Sequence, residues 1–222
     1  MSAMLRPALI AGFDDNGTRR MMPVTERELV RTEAFYRRVL ASDWGLRGRF
    51  GLIIGTQGDA PHLGPFERAL MARGMTVCNS EANSWDGART EATIRRFDVA
   101  LVAVVSGIVL DAIVNAGHDP VALFQGKIVW ASGEGYDRLL GASGFELRRW
   151  IALGPAIALE GRHGGGAHFD GREWDIEPDG GLCHVSSRLD RAMSFDRLPV
   201  SLRCTVDTTP CSGGALGPRI VL

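Results

Sequence analysis

The sequence predicts an α/β fold: a Rossmann-like, mainly parallel sheet with flanking helices, followed by a smaller β-rich region. Three observations carry this. Short, mainly apolar runs (Leu52-Ile53-Ile54, Val99 to Val105, and Lys127 to Ala131) have the length and composition of buried strands. Segments of helical spacing lie between them, which argues for βαβ units. After Trp150 the pattern changes to short strand-like pieces broken by Gly, Pro and Asp at hairpin intervals. The expected division is residues 1–150 for the α/β part and 151–222 for the β-rich part.

The elements follow in order. Thr25 and Glu28 form a T-x-x-E capping box, and Leu29, Tyr36, Val39 and Leu40 follow at helical spacing. This predicts an amphipathic helix from Thr25 to about Ala41, closed by Gly45 and Gly48. Leu52 to Ile54 is then a strand ending at Gly55. Pro65 to Arg73 reads as a helix stopped by Gly74, and Met75 to Cys78 as a strand. Asp86 caps a helix through Arg96, and Val99 to Val105 is a strand. Ile108 to Asn115 is a helix, Lys127 to Ala131 a strand, and Tyr136 to Leu140 a short helix. In the second part, Ala156 to Leu159 reads as a strand, with others expected around Glu173–Glu177, Leu182–Ser186 and Leu198–Val206.

Bulk properties limit the function classes. The 222 residues are 45% hydrophobic, enough for a substantial core, and the formal net charge is -1. Bulk electrostatics draws such a chain to neither nucleic acid nor an anionic membrane. The N-terminus has no signal-peptide pattern, and no apolar run spans a bilayer. The four cysteines (Cys78, Cys183, Cys204, Cys211) lack a disulfide-scaffold rhythm, so a reducing cytoplasm and free thiols are expected. Lys127 is the only lysine, and so the one candidate for any lysine chemistry.

Several segments carry candidate chemistry. Asp14 to Arg20 contains Asn16-Gly17-Thr18 ahead of the Thr25 helix, and a Gly/Thr loop leading to a helix can cradle phosphate on backbone N–H groups. Its two aspartates repel a polyphosphate, and no Walker pattern is present, so an Asp-rich turn is the default. Glu160 to His168 is glycine-rich and carries His163 and His168, suited to proton transfer or metal binding, or else simply solvated. His62 follows the end of the first buried strand, where α/β sheets bind ligands. His118 sits in a turn. His184 and Cys183 alternate on a strand and face opposite sides. Pro210-Cys211-Ser212-Gly213-Gly214 is a turn with a thiol, at a spacing from Cys204 that matches no zinc knuckle.

These pieces, in this order, resemble the phenylacetate–CoA ligase-like branch of the adenylate-forming superfamily. NGTRRMMPVTERELVRTEAFYRRVL is similar to that family's phosphate-loop segment, SSGTTGxP, and the helix after it. GLRGRFGLIIGTQGDAPHLGPFERALMARGMTVCNSEA resembles its next βαβ unit. EGRHGGGAHFDGREWDIE resembles its EC…GxH…E segment, and AMSFDRLPVSLRCTVDTTPCSGGALGPRI its AMPFxRYxTGD segment followed by PCxCG and PRI.

The resemblance also marks departures. Gly17 and Thr18 alone keep the phosphate-loop pattern. Arg197 matches the arginine of RYxTGD, but Leu198 replaces the tyrosine, Ser201 the glycine and Leu202 the ribose-binding aspartate. A leucine accepts no hydroxyl hydrogen bond, so nucleotide affinity should fall by about 2–4 kcal/mol. Some members bind zinc on one His and three Cys. Here His168 and Cys211 occupy two such places, while Gly161 and Gly213 stand at the others, with His163 as the nearby substitute. The sequence ends where the family continues into a mobile domain bearing a catalytic lysine, which Lys127 does not match. Glu160 is a candidate for the acidic magnesium ligand, although the EC alignment puts Leu153 near that place.

The resemblance therefore implies a repurposed relative, an enzyme of small-molecule biosynthesis. It keeps a cleft for an acyl or aryl carboxylate-derived substrate and has no resident cofactor. Candidate catalytic residues are Glu160, His163, His168 and Arg197, and candidate pocket residues are His62, Trp85 and Tyr136. The cleft is expected where Gly55–His62, Ser80–Trp85 and Ser132–Tyr136 leave the strands, covered by the loop Gly161–His168. Partners beyond the small molecule are a second copy or an enzyme supplying the missing domain. The rival readings are an ATP-dependent ligase completed by a partner, and a noncatalytic binding or scaffold subunit.

Overall fold

The computed structural model describes residues 6–15, 18–43, 45–211 and 217–222. The chain begins with an antiparallel hairpin, β1 (Leu9–Asp15) and β2 (Thr18–Val24), in which Asp15 pairs with Thr18 across a two-residue connection. Ala11, Phe13, Met22 and Val24 are buried while Ile10 and Met21 are exposed, the period-two pattern of a sheet covered on one face. The stretch expected to be a loop feeding a helix thus runs largely in two paired strands. The seven residues of β2 stand between Gly17 and the start of α1 (Glu26–Val39), so that segment does not lead directly into the helix N-terminus. Asn16 and Gly17 lie outside the described residues, and Thr18 is exposed at the start of β2.

The capping box forms as expected. The Glu28 N–H donates to Thr25 Oγ1 at 3.3 Å, and the Thr25 N–H donates to Glu28 Oε2 at 2.8 Å. The helix then buries Leu29, Phe35, Tyr36 and Val39, its apolar stripe.

Next come β3 (Phe50–Gly55), α2 (Ala60–Ala72), β4 (Thr76–Glu81), α3 (Gly87–Arg96), β5 (Val99–Val105), α4 (Gly107–Asn115), α5 (Pro120–Leu123), β6 (Ile128–Ala131), α6 (Glu134–Leu139) and β7 (Glu146–Leu153). The parallel strands run in the order β4-β3-β5-β6-β7. Residue 150 falls inside β7, whose far side pairs antiparallel with β8 (Ala156–Glu160). Then follow β9 (Ala167–Phe169), β10 (Trp174–Asp179), β11 (Leu182–Ser187), β12 (Leu198–Val200), β13 (Thr205–Asp207) and β14 (Arg219–Val221). The sheet continues from β7 through β8, β9, β14 and β13 to make nine strands, and β10-β11-β12 form a separate antiparallel sheet.

Three cores result. One lies between α1, α2 and the sheet, where Phe66 meets Trp130 and Trp150 edge-on at 5.6 and 5.1 Å, the favoured aromatic geometry. The opposite face packs Leu52, Ile54 and Val102 against Leu110, Ile113 and Phe124. The third joins the hairpin to the β-rich half through Phe13, Trp174 and Phe195. Cys183 and Cys204 pair as a disulfide, which corrects the expectation of four free thiols, while Cys78 lies on β4. Among the described residues, no helix is long and apolar enough to cross a membrane.

Candidate functional site

The strand order fixes where a ligand can lie. From β3 the chain crosses to β4 on one side, then returns past β3 to place β5 on its other side. The crevice between the carboxyl ends of β3 and β5 is therefore a topological switch point, where no crossover connection covers the sheet edge. A cavity of about 250 Å³ opens there, bounded by Ile54 and Gly55 from β3, Val104 from β5 with Ser106 just after it, and Trp150 and Ile157 from β7 and β8. Its walls are mostly apolar with a few polar groups, the usual make-up of a small-molecule site.

Two features of this cavity depart from ordinary packing. Val104 has φ +64°, a conformation that a β-branched side chain rarely adopts, and the β5–β6 register slips between Ala103 and Val105. The bulge places Val104 on the cavity wall. His62 lines the same cavity and also a water-sized inner chamber that contains Glu28, Glu173 and Arg191. The His62 Nδ1 is enclosed with no hydrogen-bond partner, and burial pushes the imidazole down to about 4. Nearby Asp59 opposes that shift and Arg191 reinforces it. His62 is thus neutral at physiological pH. Asp59 is anchored locally, its Oδ2 accepting from the Thr56 N–H at 3.0 Å and the Thr56 hydroxyl at 2.7 Å.

A second cavity of about 330 Å³ adjoins the first and shares Ser132, Trp150 and Ala152 with it. Gly133 at φ +47°, ψ −128° turns the chain there in a conformation open essentially to glycine alone. Gly135 lets α6 close against the end of β5, because a Cβ on it would stand 2.2 Å from the Val105 carbonyl oxygen. Tyr136 lines this cavity with the Arg149 guanidinium 3.8 Å from its ring centroid, and Leu202 forms part of the wall.

Of the pocket residues expected from sequence, His62 and Tyr136 line the cleft. Trp85 does not; it is 81% exposed, outside both cavities. The glycine-rich loop does not cover the cleft either. Because β8 runs antiparallel to β7, it carries the chain back toward the amino ends of the strands, and Arg162 in the loop donates to the Ser42 carbonyl there. None of residues 161–168 lines either cavity. His163 is exposed. His168 is buried in β9, burial lowers its pKa, and its Nδ1 lies 3.1 Å from the Gly217 carbonyl. Glu160 accepts the Arg149 N–H at 2.9 Å, and its carbonyl accepts from Trp130 Nε1. Arg197 is exposed and pairs with Glu177 and Asp179 on the β10 side. The four proposed catalytic side chains are therefore dispersed. Cys211 is buried away from the cleft, and among the described residues no group of three or more His, Cys, Asp or Glu is placed to hold a metal ion. Lys127 donates to the Val99 carbonyl at the amino edge, and burial lowers its pKa.

The comparisons with known proteins bear on the fold. No protein-family model matches the sequence, and no curated protein matches it. Solved structures do match. A 2-hydroxyisobutyryl-CoA ligase in complex with 2-HIB-AMP and CoA superposes with TM-score 0.69 at 12% identity, over 96% of this chain. The chain has the fold of an adenylate-forming domain. The Klebsiella oxytoca NpsA N-terminal subdomain gives 0.58 at 15% identity over 98%, and Bacillus subtilis O-succinylbenzoate coenzyme A synthetase 0.54 at 12% over 99%. The chain spans 56%, 59% and 50% of those three chains, about half their length.

Proposed function

We propose that this protein binds an acyl or aryl carboxylate-derived small molecule, free or linked to CoA or a carrier, as a biosynthetic relative of the phenylacetate–CoA ligase-like branch. In this reading the chain does not adenylate acids by itself. The observation that supports it most is the paired cavity at the switch point, where Leu202 stands on the wall. The resemblance expects a ribose-binding aspartate at that position, and leucine supplies an apolar surface instead. The neighbours of the same fold include one bound to an acyl adenylate and CoA and another bound to an aryl-AMSN compound, which suits an acyl or aryl ligand here. Incubation with ATP, magnesium and a panel of carboxylic acids tests the reading. We expect measurable binding of some acids or their CoA esters without pyrophosphate release. Robust AMP formation by the isolated chain would overturn it.

A second reading is a ligase that acts together with a partner; among the neighbours of the same fold is NpsA-ThdA, an artificially fused adenylation-PCP di-domain. Capture of one stoichiometric partner, with pyrophosphate release appearing only when both are present, would establish that reading over the first.

A further inference from the structure

We propose that Arg149 is the anion-binding residue of the cleft, holding the oxyanion group of the ligand while Tyr136 fixes its plane. The proposal rests on the reading of the cleft as an acyl or aryl acid site. It begins from a contrast between two adjacent arginines on β7. Arg148 is buried and spends its guanidinium on Asp43, with Nη1 and Nη2 at 2.9 and 2.5 Å from the two carboxylate oxygens, and on Glu146 at 2.7 Å. Arg149, one residue on, projects to the other face of the sheet. Among the described residues its guanidinium makes no ion pair and no hydrogen bond, and it stacks on Tyr136.

Neither the carboxylate on the paired strand nor the one on the cavity wall binds the Arg149 side chain. Glu160, opposite on β8, accepts the Arg149 backbone N–H rather than the side chain. Asp137 lies exposed at the cavity rim and forms no ion pair with Arg149. What remains is a half-buried cation on the wall of a cavity of about 330 Å³, beside Ile151, Ala152 and Leu202. A guanidinium stacked by its face keeps its edge N–H groups free, and that edge matches the two oxygens of a carboxylate or phosphate. Partial removal from water strengthens such a contact beyond its value on an open surface. The ligand class is accordingly a small organic anion with an apolar body that extends into the adjoining cavity.

Calorimetric titration of the whole chain tests this. The probes are benzoate, phenylacetate and hexanoate, their matched amides, and phenyl phosphate. The wild type should bind at least one acid about ten-fold or more tightly than its amide. Arg149→Met should weaken the acid by about ten- to hundred-fold and leave the amide unchanged, and Arg149→Lys should restore part of the difference. Tyr136→Leu should weaken acid binding less than Arg149→Met does, and circular dichroism should show both variants folded. A preference for phenyl phosphate over benzoate that disappears in Arg149→Met supports the same site with phosphate as the anion. Acids and amides bound equally by the wild type, or discrimination that survives Arg149→Met, would remove Arg149 from the role while leaving the cleft reading intact. If no acid, amide or phosphate binds the wild type, the cleft reading falls and this proposal with it.

Discussion

His62 and Val104 are unfavourable residues for the fold in the places they occupy, and both line the same cavity. The His62 imidazole titrates near 4 in the folded protein, against about 6.5 when exposed. Between those values the unfolded chain binds a proton that the folded chain does not, so stability is full above about pH 6.5 and falls as pH drops toward 4. From pH 7 to pH 5 the loss attributable to His62 is about 2 kcal/mol. Urea unfolding of wild type and His62→Gln at both pH values measures it, since the variant should lack that part of the acid sensitivity; identical pH dependence would refute the burial argument. Val104 predicts an inversion. Glycine is usually about 0.5–1 kcal/mol worse than alanine in a strand. At φ +64° alanine retains the strain and glycine does not, so Val104→Gly should be the more stable of the two by about 1 kcal/mol. Thermal unfolding of the pair decides it, and the usual order would show the bulge relaxing at no cost. Nothing in the sequence around Val104 announces the bulge, because ALVAVV reads as an unbroken buried strand. His62 was legible because it follows a strand end.

At the scale of elements, legibility tracked the strength of the local signal. The helix α1 combines a capping box with an apolar stripe, and both formed. The strand β5 is a seven-residue apolar run and has the predicted bounds. The helix α2 starts five residues before the expected Pro65. It begins at Ala60, Pro61 takes the first-turn place, and Pro65 sits inside, where its missing N–H forgoes the bond to the residue 61 carbonyl. The opening hairpin was legible in principle. Asn-Gly is the strongest two-residue turn signal, but the exposed Ile10 and Met21 blur the period-two alternation of apolar residues on both strands. The cap of α1 gives a third prediction. Thr25→Val removes the hydroxyl that accepts from the Glu28 N–H and also contacts Glu28 Oε2 at 2.7 Å, and should cost about 1–2 kcal/mol in urea unfolding. A change under about 0.3 kcal/mol would mean that tertiary packing alone holds the helix start.

Across the whole molecule, the sheet order and the dispersal of the proposed catalytic set were not legible. Three-residue strands such as β9 and β14 carry no periodic signal, and the reversal at β8 that takes the glycine loop away from the cleft depends on pairing, not on local sequence. The ties between the two halves were hidden for the same reason, since their partners lie far apart in the chain. Arg191 is the centre of these ties. Its guanidinium lies 3.8 Å over the Trp174 ring, donates to Glu28 at 2.9 Å and to Glu173 at 2.8 Å, and has both carboxylates almost fully buried with it. Arg31 completes the cluster from α1 at 2.5 Å from Glu173, balancing two anions with two cations. Removing one member of a buried set leaves charge without water or a partner, so Arg191→Ala should destabilise by about 3–5 kcal/mol. The control is Arg188→Ala, which breaks an exposed pair with Asp175 and should cost less than about 1 kcal/mol. The same substitution at 191 removes a cation that holds the His62 pKa down, so the acid sensitivity of His62 should shrink in that background. Urea unfolding of both variants at pH 7 and pH 5 reads the two effects together. If Arg191→Ala unfolds within 1 kcal/mol of Arg188→Ala, and its pH dependence matches wild type, then the cluster neither joins the halves nor sets the charge state of the cleft histidine.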